Sequence, residues 1–321
     1  MARFAYAIPA TSANLGPGFD SFGIALDLFN RFEAERSDTW RVHVQGEGKG
    51  ILFEDERNQV ARAMCTTFEQ AGADLVAEIW CENRIPTGNG LGSSSTARLG
   101  GVLLARDLLE EAGFERLSDQ RVFEIASALE EHADNVAPAL FGGFTVCWTR
   151  DGTPQYARFE PAGGLATVVI PATTEIMTEQ SRSILPAEVS HKDASFNVAH
   201  AGLLAASIIA GRPEHFRVAL ADKLHEPYRS SAIADLEQIH TILLDAGADG
   251  VALSGSGPTV IGLVWGPDDK EAYAHAVAIA ARASDAVKGL ATRREPLPLA
   301  LVREGARALH DTALSGTDET P

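Results

Sequence analysis

A run of glycine and serine residues between positions 86 and 96 is the part of the sequence best suited to chemistry. It reads Pro-Thr-Gly-Asn-Gly-Leu-Gly-Ser-Ser-Ser-Thr, with glycines at positions 88, 90 and 92. Glycine permits tight turns and a close approach of the backbone to a ligand. The serines stand where a helix would begin, and unpaired N–H groups with the positive end of the helix dipole suit that place to a phosphate group.

Two known kinds of phosphate-binding loop do not fit this run. A Walker A loop requires a lysine directly after its second glycine, and no lysine follows these glycines. A Rossmann loop requires G-x-G-x-x-G, but the sixth position is Ser93 counted from Gly88 and Ser95 counted from Gly90. On spacing alone, a phosphate loop and an ordinary glycine turn that leads into a serine-capped helix are equally good interpretations.

Regular elements on both sides can position the run. Residues 40–45 and 75–81 alternate in polarity as half-buried strands do. The run opens a helical pattern that ends near Gly113, and a second helix is expected from a Ser118 cap to about Glu131. The second half predicts a strand at 166–170, helices at about 195–210 and 233–246, a strand at 259–265, and a further alanine-rich helix.

A turn-rich stretch over residues 150–164 indicates a domain boundary. A chain of 321 residues is long enough for about two domains with separate cores. We therefore expect an N-terminal domain over residues 1–160 and a C-terminal domain over residues 161–321. Because both mix helices and strands, the predicted fold class is α+β.

Composition and charge exclude several classes of function. The formal net charge of −17 repels nucleic acids and anionic membranes. The three widely separated cysteines favour neither a disulfide framework nor a zinc site, and the histidines lack metal-binding spacing. We recognise no secretory leader and no apolar run of membrane-spanning length, so the expected location is the cytoplasm.

Three segments in order resemble the three motifs of the GHMP kinases. Residues 9–20 resemble the first motif, residues 86–96 the second, which is the ATP-phosphate loop, and residues 251–259 the third. Each match is weak alone, but three in order across the chain are specific. The resemblance implies an S5-domain-2-like N-terminal domain, a ferredoxin-like C-terminal domain, and the use of ATP with Mg²⁺.

The resemblance also implies which residues bind the nucleotide. The matching positions are Asn58, at the adenine side, and in the loop Pro86, Gly88, Gly90, Leu91, Gly92, Ser93, Ser94, Ser95 and Thr96.

Residues 12–23 and 132–143 resemble the branch of this family that phosphorylates L-homoserine in threonine biosynthesis. By resemblance, Asn14 and Asp20 hold the ammonium group, while Arg182 and Arg229, with Thr178 nearby, hold the carboxylate. Arginine suits that role because its planar fork binds a carboxylate through two hydrogen bonds. Taken singly, Asp20 could instead cap a helix, and either arginine could be a solvated surface residue.

The metal and catalytic roles follow from the same resemblance. It maps Mg²⁺ onto Ser94 and Glu124, although the helical pattern alone places Glu124 on a solvated face. No lysine is evident as the partner of a catalytic base. We therefore expect positioning to dominate catalysis, with Asn135 or Asp134 orienting the acceptor hydroxyl and His132 supporting their loop.

Other functions remain open at this point. The nearest alternative is a GHMP kinase that acts on another alcohol, such as mevalonate. A non-catalytic ligand sensor on the same fold is a second. A serine hydrolase has no support, since neither Ser94 nor Ser256 lies in G-x-S-x-G. The expected partner is a small-molecule substrate, with neither nucleic acid nor membrane, and the family suggests a homodimer.

Overall fold

The computed structural model describes residues 2–174, 178–233 and 235–309, without the side chains of residues 178–180. The strands are β1 (Arg3–Ala13), β2 (Phe22–Arg36), β3 (Arg41–Gly46), β4 (Ala77–Asn83), β5 (Phe144–Arg150), β6 (Thr153–Phe159), β7 (Leu165–Ile170), β8 (Gly250–Leu253), β9 (Val260–Trp265), β10 (Leu297–Ala300) and β11 (Arg307–Ala308). The helices are α1 (Gln59–Ala71), α2 (Ser93–Glu111), α3 (Asp119–Glu130), α4 (Val136–Phe141), α5 (Thr178–Ser183), α6 (His191–Ala210), α7 (Phe216–Ala219), α8 (Glu226–Arg229), α9 (Leu236–Asp245) and α10 (Asp269–Lys288).

The first sheet is built on a long antiparallel hairpin of β1 and β2. Its register runs from Arg3 opposite Glu35 to Ala13 opposite Gly23, with one shift between Pro9 and Ala10. The order is β11-β1-β2-β4-β3, and β5 pairs with both β2 and β6. The β3–β4 pair is parallel, as expected when the helix α1 forms the crossover between them.

The second sheet has the order β10-β7-β9-β8, with every pair antiparallel. The helices α9 and α10 cover one of its faces, where Ile239, Leu243 and Ile279 are buried. The strand β7 is buried at every position. The other face of this sheet packs toward the first sheet.

The helix predicted after the glycine run is confirmed as α2. Its buried leucines, which include Leu99, Leu103 and Leu108, join the core over the first sheet. Each fully buried leucine contributes about 1.5–3 kcal/mol relative to an exposed one. The second predicted helix is confirmed as α3, where the Ser118 hydroxyl accepts a hydrogen bond from the Arg121 N–H at 3.2 Å. The mixed α+β fold class is confirmed.

A separate cluster of apolar side chains joins the two sheets. Leu15, Ile24 and Leu91 from the first half pack in one cluster with Phe216 and Leu220 from the second. All are almost completely buried, so the halves share a continuous core. The turns and loops around this cluster are therefore held at a defined separation.

The boundary predicted near residue 160 stays a prediction, although sheet membership changes there. The last hairpin of the first sheet ends with β6 and the second sheet begins with β7. The chain does not remain in the second half, however. Leu301 bridges to Leu26, and β11 pairs with β1 through Ala308 opposite Tyr6.

The helix α6 is the one helix in the described ranges that is long and apolar enough, by length and composition alone, to cross a membrane. It also packs within the fold, because Leu204 and Ile208 lie in the core that joins the two halves.

Candidate active site

The sequence motifs converge on one cavity between the two halves. The turn that follows β1, the glycine loop before α2, the segment between α3 and α4, and the loop between β8 and β9 all reach it. Its lining residues are Asn14, Asp20, Gly88, Asn89, Gly90, Gly92, Ser93, Ser94, Ser95, Glu130, His132, Asp134, Asn135, Arg182, Arg229, Gly255 and Ser256.

The glycines of the loop are needed for its shape. Gly88, Gly90 and Gly92 all have positive φ, between 59° and 75°. A Cβ on Gly90 would lie 2.2 Å from the Ser254 carbonyl oxygen, and one on Gly92 would lie 2.0 Å from Thr11 Oγ1. Only glycine fits both the backbone conformation and the space, so the loop packs tightly against both halves.

The helix α2 presents its N-terminus to the cavity. Its N-cap is Gly92, which has no side chain to pair with the first-turn N–H groups. Ser95 Oγ is buried and has no hydrogen-bond partner among the described residues. Free N–H donors, the helix dipole and an unpaired hydroxyl together make a site that fits a phosphate group.

The carboxylate beside Ser94 is that of Glu130, whereas Glu124, which the resemblance assigned to Mg²⁺ together with Ser94, makes other contacts. Ser94 Oγ lies 2.8 and 3.0 Å from the two carboxylate oxygens of Glu130, which also pairs with Arg98. Glu124 instead contacts Gln120 at 3.1 Å and Arg121 at 3.2 Å. Six residues along a helix are about 240° of rotation and 9 Å of rise, so the two glutamates face different surroundings.

A signal in the sequence could have found Glu130. It is the last residue of α3, where a negative charge faces the negative end of the helix dipole. An acidic residue in that unfavourable position, two residues before the segment 132–143, indicates a role other than helix stability.

Four predicted nucleotide-binding residues do not line the cavity: Asn58, Pro86, Leu91 and Thr96. Asn58 caps α1, since its side chain accepts from the Val60 N–H at 2.9 Å and donates to the Phe53 carbonyl at 2.8 Å. Leu91 is wholly buried, and Pro86 is also buried. Thr96 Oγ1 donates to the Ser93 carbonyl at 2.8 Å. Lining residues that the sequence did not single out are Asn89, Glu130, Gly255 and Ser256.

The opposite end of the cavity carries charges of both signs. Asn14 Oδ1 accepts from the Asp20 N–H at 2.9 Å, and its Nδ2 donates to the Gly255 carbonyl at 2.8 Å. The Asp20 carboxylate pairs with Arg182. Asp20 lies in the turn after β1 and Arg182 in α5, so the ion pair joins these two segments. Thr178 begins α5, but its side chain lies outside the described residues.

Arg229 is only 2% exposed, which excludes the solvated-surface alternative. It donates from Nη1 to the Gly255 carbonyl at 3.2 Å and from Nε to the Ser181 carbonyl at 3.4 Å. Burial, and then the positive charge of Arg182, lowers the pKa of Arg229 to about 10. Two arginines that line the same cavity favour an anionic ligand group between them.

The predicted catalytic segment lies between the two ends of the cavity. Asp134 is 3% exposed, and burial, then the nearby Asp20 carboxylate, raises the pKa of Asp134 to about 7. Asn135 Oδ1 accepts from Thr11 Oγ1 at 2.7 Å, and its Nδ2 donates to Asp134 Oδ1 in a longer hydrogen bond of 3.4 Å. Burial, then Arg182, lowers the pKa of His132, which keeps its imidazole neutral near pH 7.

The third motif, residues 251–259, also contributes to the lining of the cavity through Gly255 and Ser256. Ser254 Oγ lies 2.7 Å from the Gly90 carbonyl and 2.8 Å from Ser12 Oγ, so it joins all three motif segments. A second cavity of about 400 Å³ adjoins the first, and Asp20 and His132 line both.

Two family models match the chain. The GHMP kinases N terminal domain matches residues 58–143, and the GHMP kinases C terminal model matches residues 204–283. The chain is 37% identical over 318 residues to a homoserine kinase of Leifsonia xyli subsp. xyli (98% of this chain, 94% of that protein). It is 41% identical over 310 residues to one of Symbiobacterium thermophilum (94% of this chain, 93% of that protein).

Solved structures agree with these matches. A homoserine kinase of Cytophaga hutchinsonii superposes with a TM-score of 0.82 at 26% identity, covering 96% of this chain and 98% of that one. A mevalonate kinase has a TM-score of 0.65 at 14% identity, with 95% and 100% covered, which shows a shared fold alone. The family inferred from the three motifs is confirmed: the chain belongs to the GHMP kinases and, among them, to the homoserine kinase family.

Proposed function

We propose that this kinase transfers the γ-phosphate of ATP to the hydroxyl of L-homoserine, giving ADP and O-phospho-L-homoserine for threonine biosynthesis. The observation that carries the proposal is the pairing of two recognition ends in one cavity. The glycine loop and the N-terminus of α2 suit a nucleotide phosphate, and Asp20, Arg182 and Arg229 suit a zwitterion. The names of the similar proteins support the same substrate.

The Asp20–Arg182 pair supports recognition of an amino acid. A substrate ammonium group can replace Arg182 as the partner of Asp20, while its carboxylate replaces Asp20 as the partner of Arg182. Neither protein charge is then left without a partner when the substrate binds. A substrate without an ammonium group offers Asp20 no such exchange.

The phosphate end fits Mg²⁺. Ser94 and Glu130 offer oxygen donors that hold each other at 2.8–3.0 Å, and Mg²⁺ takes few protein ligands when phosphates and water supply the rest. When bound there, Mg²⁺ neutralises charge that develops on the transferred phosphate. Ser95 Oγ and the first-turn N–H groups of α2 are free to hold phosphate oxygens.

The chain's own residues act mainly by positioning, because the transition state of phosphoryl transfer is loose. Thr11 fixes the amide of Asn135, whose Nδ2 donates one hydrogen to Asp134 Oδ1 at 3.4 Å and has a second to offer the acceptor hydroxyl. Asp134, beside it, can accept the hydrogen of the acceptor hydroxyl when ionised. His132, kept neutral, supports the segment that carries both.

We expect Asp134→Asn to lower kcat by about 10- to 100-fold without abolishing turnover, which is at or below the smallest effect that general-base catalysis usually has. The pKa of Asp134 near 7 means that its carboxyl is neutral below that pH and ionised above it. The wild-type kcat/KM for homoserine should therefore rise with pH through about 7, and the variant should lose that rise. Steady-state kinetics from pH 5.5 to 9 measure both.

Asp249→Asn is a matched control, since burial raises the pKa of Asp249 too but it pairs with the Trp265 N–H outside the cavity. A loss of more than about 10⁴-fold in kcat for Asp134→Asn, with unchanged KM values, would identify an obligatory base and contradict the positioning account.

The experiment that tests the proposed function is an ADP-release assay with Mg-ATP and four acceptors: L-homoserine, L-serine, L-threonine and mevalonate. Selective turnover of homoserine, with the phosphoester identified by mass spectrometry, supports the proposal. Turnover of mevalonate would keep the fold and overturn the roles of Asp20, Arg182 and Arg229. ATP binding without any turnover would favour a ligand sensor.

We also infer a cytoplasmic enzyme whose partners are small molecules and which forms a homodimer. The formal charge of −17 supports the absence of nucleic acid and anionic membranes among its partners. Size-exclusion chromatography with light scattering tests the homodimer.

A further inference from the structure

His225 is a buried imidazole that contacts both sides of the proposed homoserine pocket. It immediately precedes α8 and is 0% exposed. Its Nε2 lies 2.8 Å from the Gly16 carbonyl oxygen, and its Nδ1 lies 2.9 Å from Arg229 Nη1. Phe19 stacks on the ring, with centroids 5.3 Å apart.

The two partners determine which ring nitrogen carries the proton. A guanidinium group has only donors, so Nδ1 must present a lone pair to Arg229, and a carbonyl only accepts, so Nε2 must carry hydrogen. One neutral tautomer satisfies both contacts. An imidazolium would set an N–H against the N–H of Arg229 and add a second positive charge beside it.

The surroundings hold the ring in this state. Burial is the largest cause that lowers the pKa of His225, to about 4, while Asp222 opposes the shift and Arg229 adds to it. Asp222 also accepts the backbone N–H groups of Leu224, His225 and Glu226 at 2.7–3.0 Å. The carboxylate therefore fixes the turn from which the imidazole projects.

The carbonyl that His225 binds belongs to a strained turn. Asn14, Leu15, Gly16 and Asp20 all have positive φ. A Cβ on Gly16 would lie 2.1 Å from the Leu220 carbonyl oxygen, so this turn is pressed against the second half of the molecule. Non-glycine residues in this conformation cost about 1 kcal/mol or more each and persist only where other contacts hold them.

We infer that His225 is a positioning residue that sets the separation between the ammonium-binding turn of Asn14 and Asp20 and the carboxylate-binding Arg229. It does so by donating to Gly16 from one ring nitrogen and accepting from Arg229 at the other. The inference rests on the proposed function, because it takes Arg229 as the carboxylate ligand. His225 itself touches no substrate.

The test compares His225→Leu with His225→Gln. Leucine removes both hydrogen bonds, whereas the amide of glutamine can donate to Gly16 and accept from Arg229. We expect leucine to raise KM for homoserine by about 10- to 100-fold, the value of a hydrogen bond to a charged group. The kcat and the KM for ATP should change by less than about threefold, and glutamine should restore most of the loss.

A substrate fragment separates positioning from a general structural role. The inhibition constant of 3-amino-1-propanol, which lacks the carboxylate, should be nearly the same for wild type and His225→Leu. His240→Leu is the control, since it removes a partly buried imidazole whose Nε2 has no hydrogen-bond partner in the described chain. It should leave KM for homoserine unchanged.

Three results would overturn the inference. The first is an unchanged KM for homoserine in His225→Leu, and the second is an inhibition constant for 3-amino-1-propanol that rises as much as that KM. The third is a parallel loss in kcat, both KM values and melting temperature that glutamine does not restore. The proposed function fails by a different result. It fails if the wild type itself does not phosphorylate homoserine, and that measurement is made first.

Discussion

Arg229→Leu is expected to raise KM for L-homoserine by about 100- to 1,000-fold while KM for ATP changes by less than about threefold. Removing one member of a buried, hydrogen-bonded charge pair costs about 2–5 kcal/mol, and each 1.4 kcal/mol is tenfold. Arg229 is 2% exposed at the zwitterion end of the cavity, so its charge meets the substrate without much screening by water. Initial-rate kinetics with each substrate varied in turn measure the effect.

Arg229→Lys is the matched variant for this position. Lysine keeps the charge but lacks the planar fork, so we expect an intermediate loss of about 10-fold or more. Thermal unfolding of both variants tests whether the chain still folds, because Arg229 also donates to the Gly255 and Ser181 carbonyls. A folded Arg229→Leu variant with normal KM for homoserine would contradict the role of Arg229.

Glu130→Gln is expected to lower kcat/KM for Mg-ATP by about 100-fold or more, and to raise the Mg²⁺ concentration needed for half-maximal rate. The amide cannot supply the negative charge that a divalent cation requires beside Ser94. Rates measured over a range of free Mg²⁺ at constant ATP give both quantities.

Glu124→Gln is the matched control, because it makes the same change on the same helix, at a side chain that contacts Gln120 and Arg121. It should change the rate by less than about twofold, as surface substitutions usually do. A large loss in Glu124→Gln with a small one in Glu130→Gln would restore the metal assignment made from the sequence and contradict the one made from the structure.

Patterns of local origin were predicted well. The helix α2 follows a glycine run and keeps an apolar side, and α3 begins at a serine cap, so both could be placed from neighbouring residues alone. The strands β3 and β4 alternate in burial, which is the pattern that identifies a strand with one exposed face.

The long strands β1 and β2 were not predicted, although they form the centre of the first sheet. The last eight positions of β1 are all buried, so the alternation that indicates a strand is missing there. The return of β11 to β1 could not be predicted either, because a two-residue strand depends on its partner rather than on its own sequence.

The candidate site likewise combines features that local sequence patterns predict with features that they do not. The glycine loop and the paired charges follow from motifs in the sequence. The choice between Glu124 and Glu130 depends on which turn of α3 faces α2, and the contact of His225 with both Gly16 and Arg229 joins residues far apart in the chain. Such contacts are set by how elements distant in the sequence pack against one another, which no local pattern records.

The central claim is that one cavity recognises both charges of an amino acid while it presents the terminal hydroxyl to ATP. The most direct measurement compares kcat/KM for L-homoserine with that for 3-amino-1-propanol, which lacks the carboxylate, and for 4-hydroxybutyrate, which lacks the ammonium group. The account predicts losses of at least about 100-fold for each fragment, since one leaves the buried Arg229 and the other the part-buried Asp20 without its substrate partner. If 4-hydroxybutyrate were turned over as efficiently as homoserine, Asp20 would not be binding a substrate ammonium group. That result would contradict the account.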